Sequence, residues 1–160
     1  MTIAVGDRLP DVEVHVPTAD GPKRVRTGEL LGSGTAVLFG VPGAFTPTCS
    51  DYHLPGFVLR ADDLRTKGVG TIACMSVNDA FVMGAWGDAR EVGDSVVLVA
   101  DGSADLTRAL GLELDLSGGG LGVRSQRFAM ILQDGVVRDL AVEAGTGLDV
   151  STADAVLAKL

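Results

Sequence analysis

An α/β fold, with a central mixed β-sheet flanked by helices, is the architecture this sequence predicts. Three observations carry the prediction. Apolar, β-rich runs recur at Thr35–Gly40, at residues 70–77 and at residues 95–100. Amphipathic stretches at about residues 49–67, 80–90 and 104–110 lie between or after them, so strand and helix patterns alternate. Late in the chain two further strand-like runs, residues 127–133 and Val136–Val142, flank Asp134-Gly135. Alternation favours parallel strands covered by helices, and Asp-Gly between two strand-like runs signals a tight antiparallel hairpin. Together they make the sheet mixed.

Each element has its own justification. The three early runs are short and nearly all apolar, as buried strands are. Asn78-Asp79 precede the segment at 80–90 and supply side chains suited to capping a helix start. Gly118-Gly119-Gly120-Leu121-Gly122 lacks the Lys-Ser/Thr of a phosphate loop and precedes a strand, so it reads as a flexible loop. Ser151, with Asp154 three residues on, forms a capping-box-like start to a last helix over 152–160. A βαβ half followed by a hairpin and a terminal helix is the thioredoxin-like pattern. No linker, repeat or charge block interrupts the 160 residues, so a single domain over 1–160 is expected.

Composition narrows the partners. Hydrophobic residues make up 46% of the chain, enough for a core and too many for a disordered segment. A net charge of −8 argues against nucleic acid and anionic membrane. No apolar run approaches the roughly 20 residues that span a bilayer, and the first residues lack a basic then apolar leader. Two cysteines point to a reducing compartment, so a cytoplasmic protein is expected. The final Ala158-Lys159-Leu160 looks like a Ser-Lys-Leu peroxisomal address, which a eukaryotic host would read.

Chemistry concentrates at Cys49, which follows the turn-rich Pro42-Gly43-Ala44-Phe45-Thr46-Pro47-Thr48 and opens a helix-like segment. Outward N–H groups at a helix start favour a thiolate, and the Thr46 and Thr48 hydroxyls lie close in sequence. Lowering a thiol's pKa from 8.5 to ~6 raises its thiolate fraction roughly thirtyfold but costs roughly thirteenfold in nucleophilicity, so the net gain is only about twofold. A fast reaction at such a sulfur therefore also needs fixed donors or a cation near the leaving atom. Arg124 and Arg127, just before a strand, are candidates. His53, four residues after Cys49, reads as a general base, a metal ligand or, best, a packed structural histidine. Cys74 and His15 are its only other soft companions and have no zinc spacing. Cys74 lies in an apolar run and reads as an inert core residue or a second reactive thiol.

Residues 42–57, including His53-Leu54-Pro55-Gly56-Phe57, resemble the active-site signature of peroxiredoxins of the type II, or type-five, subfamily. The resemblance extends to Ser76-Val77-Asn78-Asp79-Ala80-Phe81, Arg127-Phe128, Gln133-Asp134-Gly135 and Gly145-Thr146-Gly147. It implies a thiol peroxidase in which Cys49 attacks hydrogen peroxide or a small alkyl hydroperoxide and becomes a sulfenic acid. Arg127 would match the active-site arginine, Thr46 would bind the peroxide, and Pro42 would shield the sulfur from water. Two unit charges ~4 Å apart at an effective dielectric of ~20 interact by about 4 kcal/mol, against about 0.3–1 kcal/mol for a helix terminus, so the arginine is expected to dominate. A small thiol or a glutaredoxin- or thioredoxin-like protein would then reduce the sulfenic acid. No metal, haem, flavin or nicotinamide is implied.

Some plant members have a second cysteine 25 residues after the first, as Cys74 is here, so a Cys49–Cys74 disulfide is the alternative route. It requires Cα atoms within about 7 Å, and hence unwinding of the first helical turn. A resolving cysteine near the C-terminus is not available, since residues 147–151 contain none. Loops around the active site form a homodimer interface in the resembling family, and Phe81 and Trp86 read as core or dimer surface. A redox sensor without turnover and a chaperone-like oligomer are the rival classes.

Overall fold

The computed structural model describes residues 1–145 and 147–160. In chain order its elements are β1 (Glu13–Thr18), β2 (Gly21–Arg26), α1 (Thr27–Leu31), β3 (Thr35–Gly40), a π-helical turn (Cys49–His53), α2 (Leu54–Leu59), α3 (Ala61–Thr66), β4 (Val69–Ser76), α4 (Ala80–Ala89), β5 (Val97–Ala100), α5 (Asp105–Leu110), β6 (Glu113–Asp115), a 3-10 turn (Ser117–Gly119), β7 (Val123–Ser125), β8 (Phe128–Gln133), β9 (Val136–Val142) and α6 (Ala153–Leu157). Among the described residues, seven strands form one sheet in the order β2-β1-β5-β4-β3-β8-β9, and β6 and β7 pair separately. β3 runs parallel to β4, and β4 to β5, while the remaining pairs are antiparallel. The sheet is therefore mixed, as expected, and the fold is the thioredoxin-like one.

Alternation along the central strands divides the core between two faces. Val37, Phe39, Ile72 and Cys74 point into one cluster with Phe57, Leu64 and Trp86, and Ala36, Leu38, Ala73 and Met75 into the other with Leu106, Leu110 and Phe128. Each fully buried Phe or Leu is worth roughly 1.5–3 kcal/mol. The Phe39 and Phe57 rings stack with centroids 3.9 Å apart, which seats α2 on β3. Cys49 belongs to the same cluster, so the sheet, not the loop alone, supports it.

Three local findings refine the sequence reading. Asp134 and Gly135 adopt φ of 50° and 80°, the positive values that a tight hairpin turn between β8 and β9 requires. The expected continuous helix over 49–67 is instead a π turn followed by α2 and α3, with Arg60 between them. Pro55 has no N–H to donate to the Asp51 carbonyl, and the Leu54 N–H bonds the Cys49 carbonyl five residues back, widening the turn. The last helix is shorter than 152–160, and its cap is Thr152, whose hydroxyl accepts from the Ala155 N–H. Ser151 is engaged elsewhere.

The hairpin of β1 and β2 has no counterpart in the sequence reading. Its second strand, with Pro22, Lys23 and Arg24, is mostly exposed and carries no apolar run. At the other end, Lys159 pairs with Asp139 at 2.9 Å and Leu160 packs against the core. Thr146, part of the Gly145-Thr146-Gly147 resemblance, lies outside the described residues. Among the described residues no helix is long and apolar enough to cross a membrane.

Candidate active site

Helical backbone begins at Pro47, a position whose fixed φ suits a first turn and whose missing N–H costs nothing there. The Ser50 N–H reaches back to the Thr46 carbonyl at 2.9 Å. Cys49 thus sits in the first turn, and its side chain is fully buried. Upstream, Phe45 is held at φ 66°, a left-handed conformation that costs a side-chain-bearing residue about 1–3 kcal/mol. The loop is pinned on both flanks. The Ala44 N–H donates to Asn78 Oδ1 at 3.0 Å, and Arg124 Nη1 donates to the Pro42 carbonyl at 3.1 Å. A Cβ on Gly43 would lie 2.6 Å from Arg124 Nη1, so the arginine's close approach requires glycine there.

The strands bring Arg127 to the sulfur. Its Nη2 lies 3.3 Å from Cys49 Sγ, and its Nη1 lies 3.1 Å from His53 Nδ1. Arg127 is 3% exposed, its Nε–H has no partner, and among the described residues no carboxylate pairs with it. A buried cation is costly unless an anion or several acceptors surround it, so an anionic sulfur is the complementary neighbour. The Thr46 hydroxyl donates to the Gly43 carbonyl at 2.7 Å, leaving its oxygen free to accept. Pro42 is buried beside this loop.

His53 has both ring nitrogens committed. A carbonyl only accepts and a guanidinium only donates, so Nε2 carries the proton toward the Ser151 carbonyl at 2.8 Å and Nδ1 accepts from Arg127. Burial, the largest influence, pushes its pKa down to about 4; the Ser151 hydrogen bond opposes this, Arg127 adds to it, and Glu143 opposes it. The ring is neutral and packs beside Phe39 and Phe57. The structural reading of His53 holds, and neither nitrogen is free to act as a base or ligand. Among the described residues no three His, Cys, Asp or Glu side chains converge as metal ligands.

Cys74 lies on β4, fully buried, facing the same cluster as Cys49. Burial pushes its thiol well up, Cys49 acts in the same direction, and Arg127 opposes both. Trp86 is buried and donates its indole N–H to Ser50 Oγ at 2.9 Å, whereas Phe81 is 74% exposed. Phe45, Tyr52 and Leu121 are exposed as well. Phe45 directly follows the backbone tied to Asn78, and Arg124 joins the Leu121 carbonyl to the Pro42 carbonyl.

The sequence analysis brought out Cys49, Thr46, Pro42 and Arg127; the structure sets Arg127 against the Cys49 sulfur and Thr46 and Pro42 in the loop just before it. It missed the anchoring of the loop by Asn78 and Arg124, and the participation of Glu143 and Ser151 behind His53. The Glu143 carboxylate accepts at Oε2 from Ser151 Oγ, the Ser151 N–H and the Asp149 N–H, at 2.7, 2.8 and 2.9 Å. Burial alone would raise its pKa, but these donors and the Val150 N–H outweigh it and hold the carboxyl below the ordinary range. Nothing in the residue pattern marks Glu143, because its partners are mostly backbone groups.

The Redoxin family model matches residues 4–157. Peroxiredoxin-2E-2, chloroplastic, of Oryza sativa subsp. japonica is 54% identical over 99% of this chain and 73% of its own length. Peroxiredoxin-2B of Arabidopsis thaliana is 50% identical over 99% and 98%. Among solved structures, reduced Prx3 of Vibrio vulnificus in complex with hydrogen peroxide superposes with a TM-score of 0.94 at 49% identity, covering 99% of both chains.

Proposed function

This chain belongs to the Redoxin family as a type II peroxiredoxin, a thiol peroxidase, and on that premise we propose that Cys49 reduces hydrogen peroxide and small alkyl hydroperoxides through a sulfenic acid that an external thiol resolves. The observation that carries the reading is the Arg127 fork, 3.3 Å from Sγ and with a buried Nε–H still unpartnered. The thiolate attacks the terminal peroxide oxygen; the S–O bond forms as the O–O bond breaks. The sulfur loses two electrons to the peroxide, and the departing oxygen takes up a proton as water or alcohol. Arg127 stabilises negative charge on sulfur and on the departing oxygen. The Thr46 oxygen, its own proton committed to Gly43, accepts from the peroxide hydroxyl and orients it. Pro42 keeps bulk water off the sulfur.

Resolution follows from an incoming thiol, either a small one or that of a glutaredoxin- or thioredoxin-like protein. It displaces water from the sulfenic acid to give a mixed disulfide, which a second thiol reduces. The Cys49–Cys74 disulfide is the second reading, favoured by the two thiols sharing one core cluster. Against it, Cys74 is fully buried, hydrogen-bonded into the sheet centre and held as a protonated thiol by burial. Phe45, Phe81 and Leu121 are large apolar side chains left exposed, which a second copy of this chain would cover, so a homodimer is proposed. A reducing interior is the proposed setting, because both cysteines are free. Cytoplasm meets that need, as would the chloroplast for which the rice relative is named.

The test is one equivalent of hydrogen peroxide added to reduced protein with dimedone, followed by peptide mass mapping. A dimedone adduct on Cys49 supports external resolution, and a Cys49–Cys74 disulfide supports the second reading. Cys49→Ser should abolish turnover while Cys74→Ser keeps most of it. An unreacted Cys49 within seconds would overturn both.

A further inference from the structure

Five groups close a ring behind the sulfur. The Glu143 N–H donates to the Arg127 carbonyl at 2.9 Å, fixing the two backbones side by side. The Glu143 carboxylate gathers Ser151 Oγ and the N–H groups of Asp149 and Ser151 on one oxygen. That grip holds the Ser151 carbonyl where His53 Nε2–H meets it, and His53 Nδ1 then receives Arg127 Nη1. The remaining fork nitrogen, Nη2, is turned to Cys49 Sγ. The ring thus runs from the arginine's main chain, through Glu143, Ser151 and His53, back to the arginine's own guanidinium.

From this geometry we infer that Glu143 is a positioning residue for the peroxidase reaction, acting through Ser151 and His53 to aim the Arg127 fork at Cys49; the inference rests on the function proposed above. Three features make the carboxylate more than a local loop anchor. Residues 144–145 and 147–150 adopt no helix or strand, so the sheet ladder does not place the Ser151 carbonyl. The Ser151 side chain is fully buried and spends its hydroxyl on Glu143 rather than capping α6, a role taken by Thr152. The His53 ring has only one orientation that satisfies both partners. With the carbonyl displaced, Nε2–H loses its acceptor and the ring no longer has a reason to present its Nδ1 lone pair to Nη1. A planar guanidinium has rigidly linked nitrogens, so losing one contact rotates the other. Shifts of about 1 Å at groups that bind a transition state cost on the order of 100-fold, and a partly compensated displacement costs less.

The experiment is a double-mutant cycle read by the second-order rate constant of Cys49 with hydrogen peroxide, followed through Trp86 fluorescence, with iodoacetamide alkylation as a parallel probe. The variants are Glu143→Ala, His53→Leu and the pair. Glu143→Ala is expected to slow the peroxide reaction about tenfold or more, and to slow alkylation, which needs no arginine geometry around an oxygen, much less. In the His53→Leu background, which has neither donor nor acceptor, the same substitution should cost little more, because the chain is already cut; coupling of this size is what such cycles resolve. Nitrogen NMR of labelled histidine supplies a second readout: the His53 Nε2–H tautomer signature seen in the parent should weaken in Glu143→Ala. Should Glu143→Ala fail to fold, Glu143→Gln keeps the size and one acceptor, and the same cycle applies with a smaller loss. A loss of thermal stability with an unchanged peroxide rate, or fully additive losses in the pair, would overturn the inference. A parent protein that does not react with peroxide would overturn the proposed function instead, and the His53 tautomer would still test the ring.

Discussion

His53 should make this protein lose stability on mild acidification, and replacing it should remove the loss. In the fold its pKa is about 4, chiefly because burial disfavours the charged ring, against 6.5 for the free side chain. The unfolded chain therefore binds more protons between those values, and stability falls as pH drops from 6.5 toward 4. Above 6.5 both states hold the ring neutral and the contribution is complete. At pH 5 the unfolded state gains a proton-binding factor of roughly 33 and the folded state roughly 1.1, a ratio of ~30 or about 2 kcal/mol. The charged groups around the ring, Arg127 and Glu143, act on it in opposite directions. Urea unfolding at pH 8 and pH 5, followed by the single Trp86, measures the change in the parent and in His53→Gln. The variant is expected to start lower at pH 8, because a glutamine amide lacks the ring's packing against Phe39 and Phe57. Between the two pH values the parent should lose about 2 kcal/mol more than the variant. Glu143, whose carboxyl is held low, contributes its own loss only at lower pH and in both proteins. Equal pH dependence in parent and variant would refute the buried, neutral assignment of His53 on which the reading of the site depends.

Other consequences are smaller in scope. Gly43→Ala places a Cβ 2.6 Å from Arg124 Nη1, so the flexible arginine should release the Pro42 carbonyl; the fold should persist by circular dichroism while the peroxide rate falls several-fold. Gly135→Ala forces a side chain into φ +80°, and thermal unfolding should report a cost of about 1–2 kcal/mol with the Cys49 reaction unchanged. Phe81→Asp introduces charge at a 74% exposed apolar side chain, and on the proposed homodimer sedimentation should show weaker self-association than in the parent without loss of secondary structure.

What the sequence made legible follows what its local patterns encode. Thr35–Gly40 and the runs after it are apolar on both faces because the central strands are covered twice, and so they announced themselves. The Asp134-Gly135 turn was legible because only a few residue types tolerate its backbone. β2 was not, because its exposed Lys23 and Arg24 contribute pairing rather than burial, and pairing leaves no mark on composition. Pro55 could have revealed the break in the 49–67 helix, since a proline six residues after Cys49 removes an N–H that a regular helix needs. Glu143 and Ser151 remained hidden for a different reason. His53 and Ser151 are 98 positions apart and meet through a backbone carbonyl, which any residue possesses.

The same segment must satisfy two opposed demands. In the proposed cycle, peroxide reduction needs Cys49 to His53 wound tightly, so that the sulfur and Arg127 stand 3.3 Å apart in a buried site. Resolution needs the sulfenic acid to become reachable, by an outside thiol or by Cys74, and a sulfur with no exposed surface offers neither. Local unwinding is therefore part of the proposed cycle, and its cost should be set by how the segment is tied. One end is held by Arg127 on Cys49, the other by Ser151 on His53, with Trp86 clasping Ser50 between them. The turn joining these ties is π rather than α, its hydrogen bonding widened by Pro55, so fewer backbone bonds oppose its opening. Oxidation of the sulfur replaces the thiolate that Arg127 best complements with a neutral sulfenic acid, loosening one tie at the moment when opening is required. Local opening is governed by such contacts rather than by global stability. On this argument, the low-cost turn and the strong side-chain ties serve the two halves of one reaction.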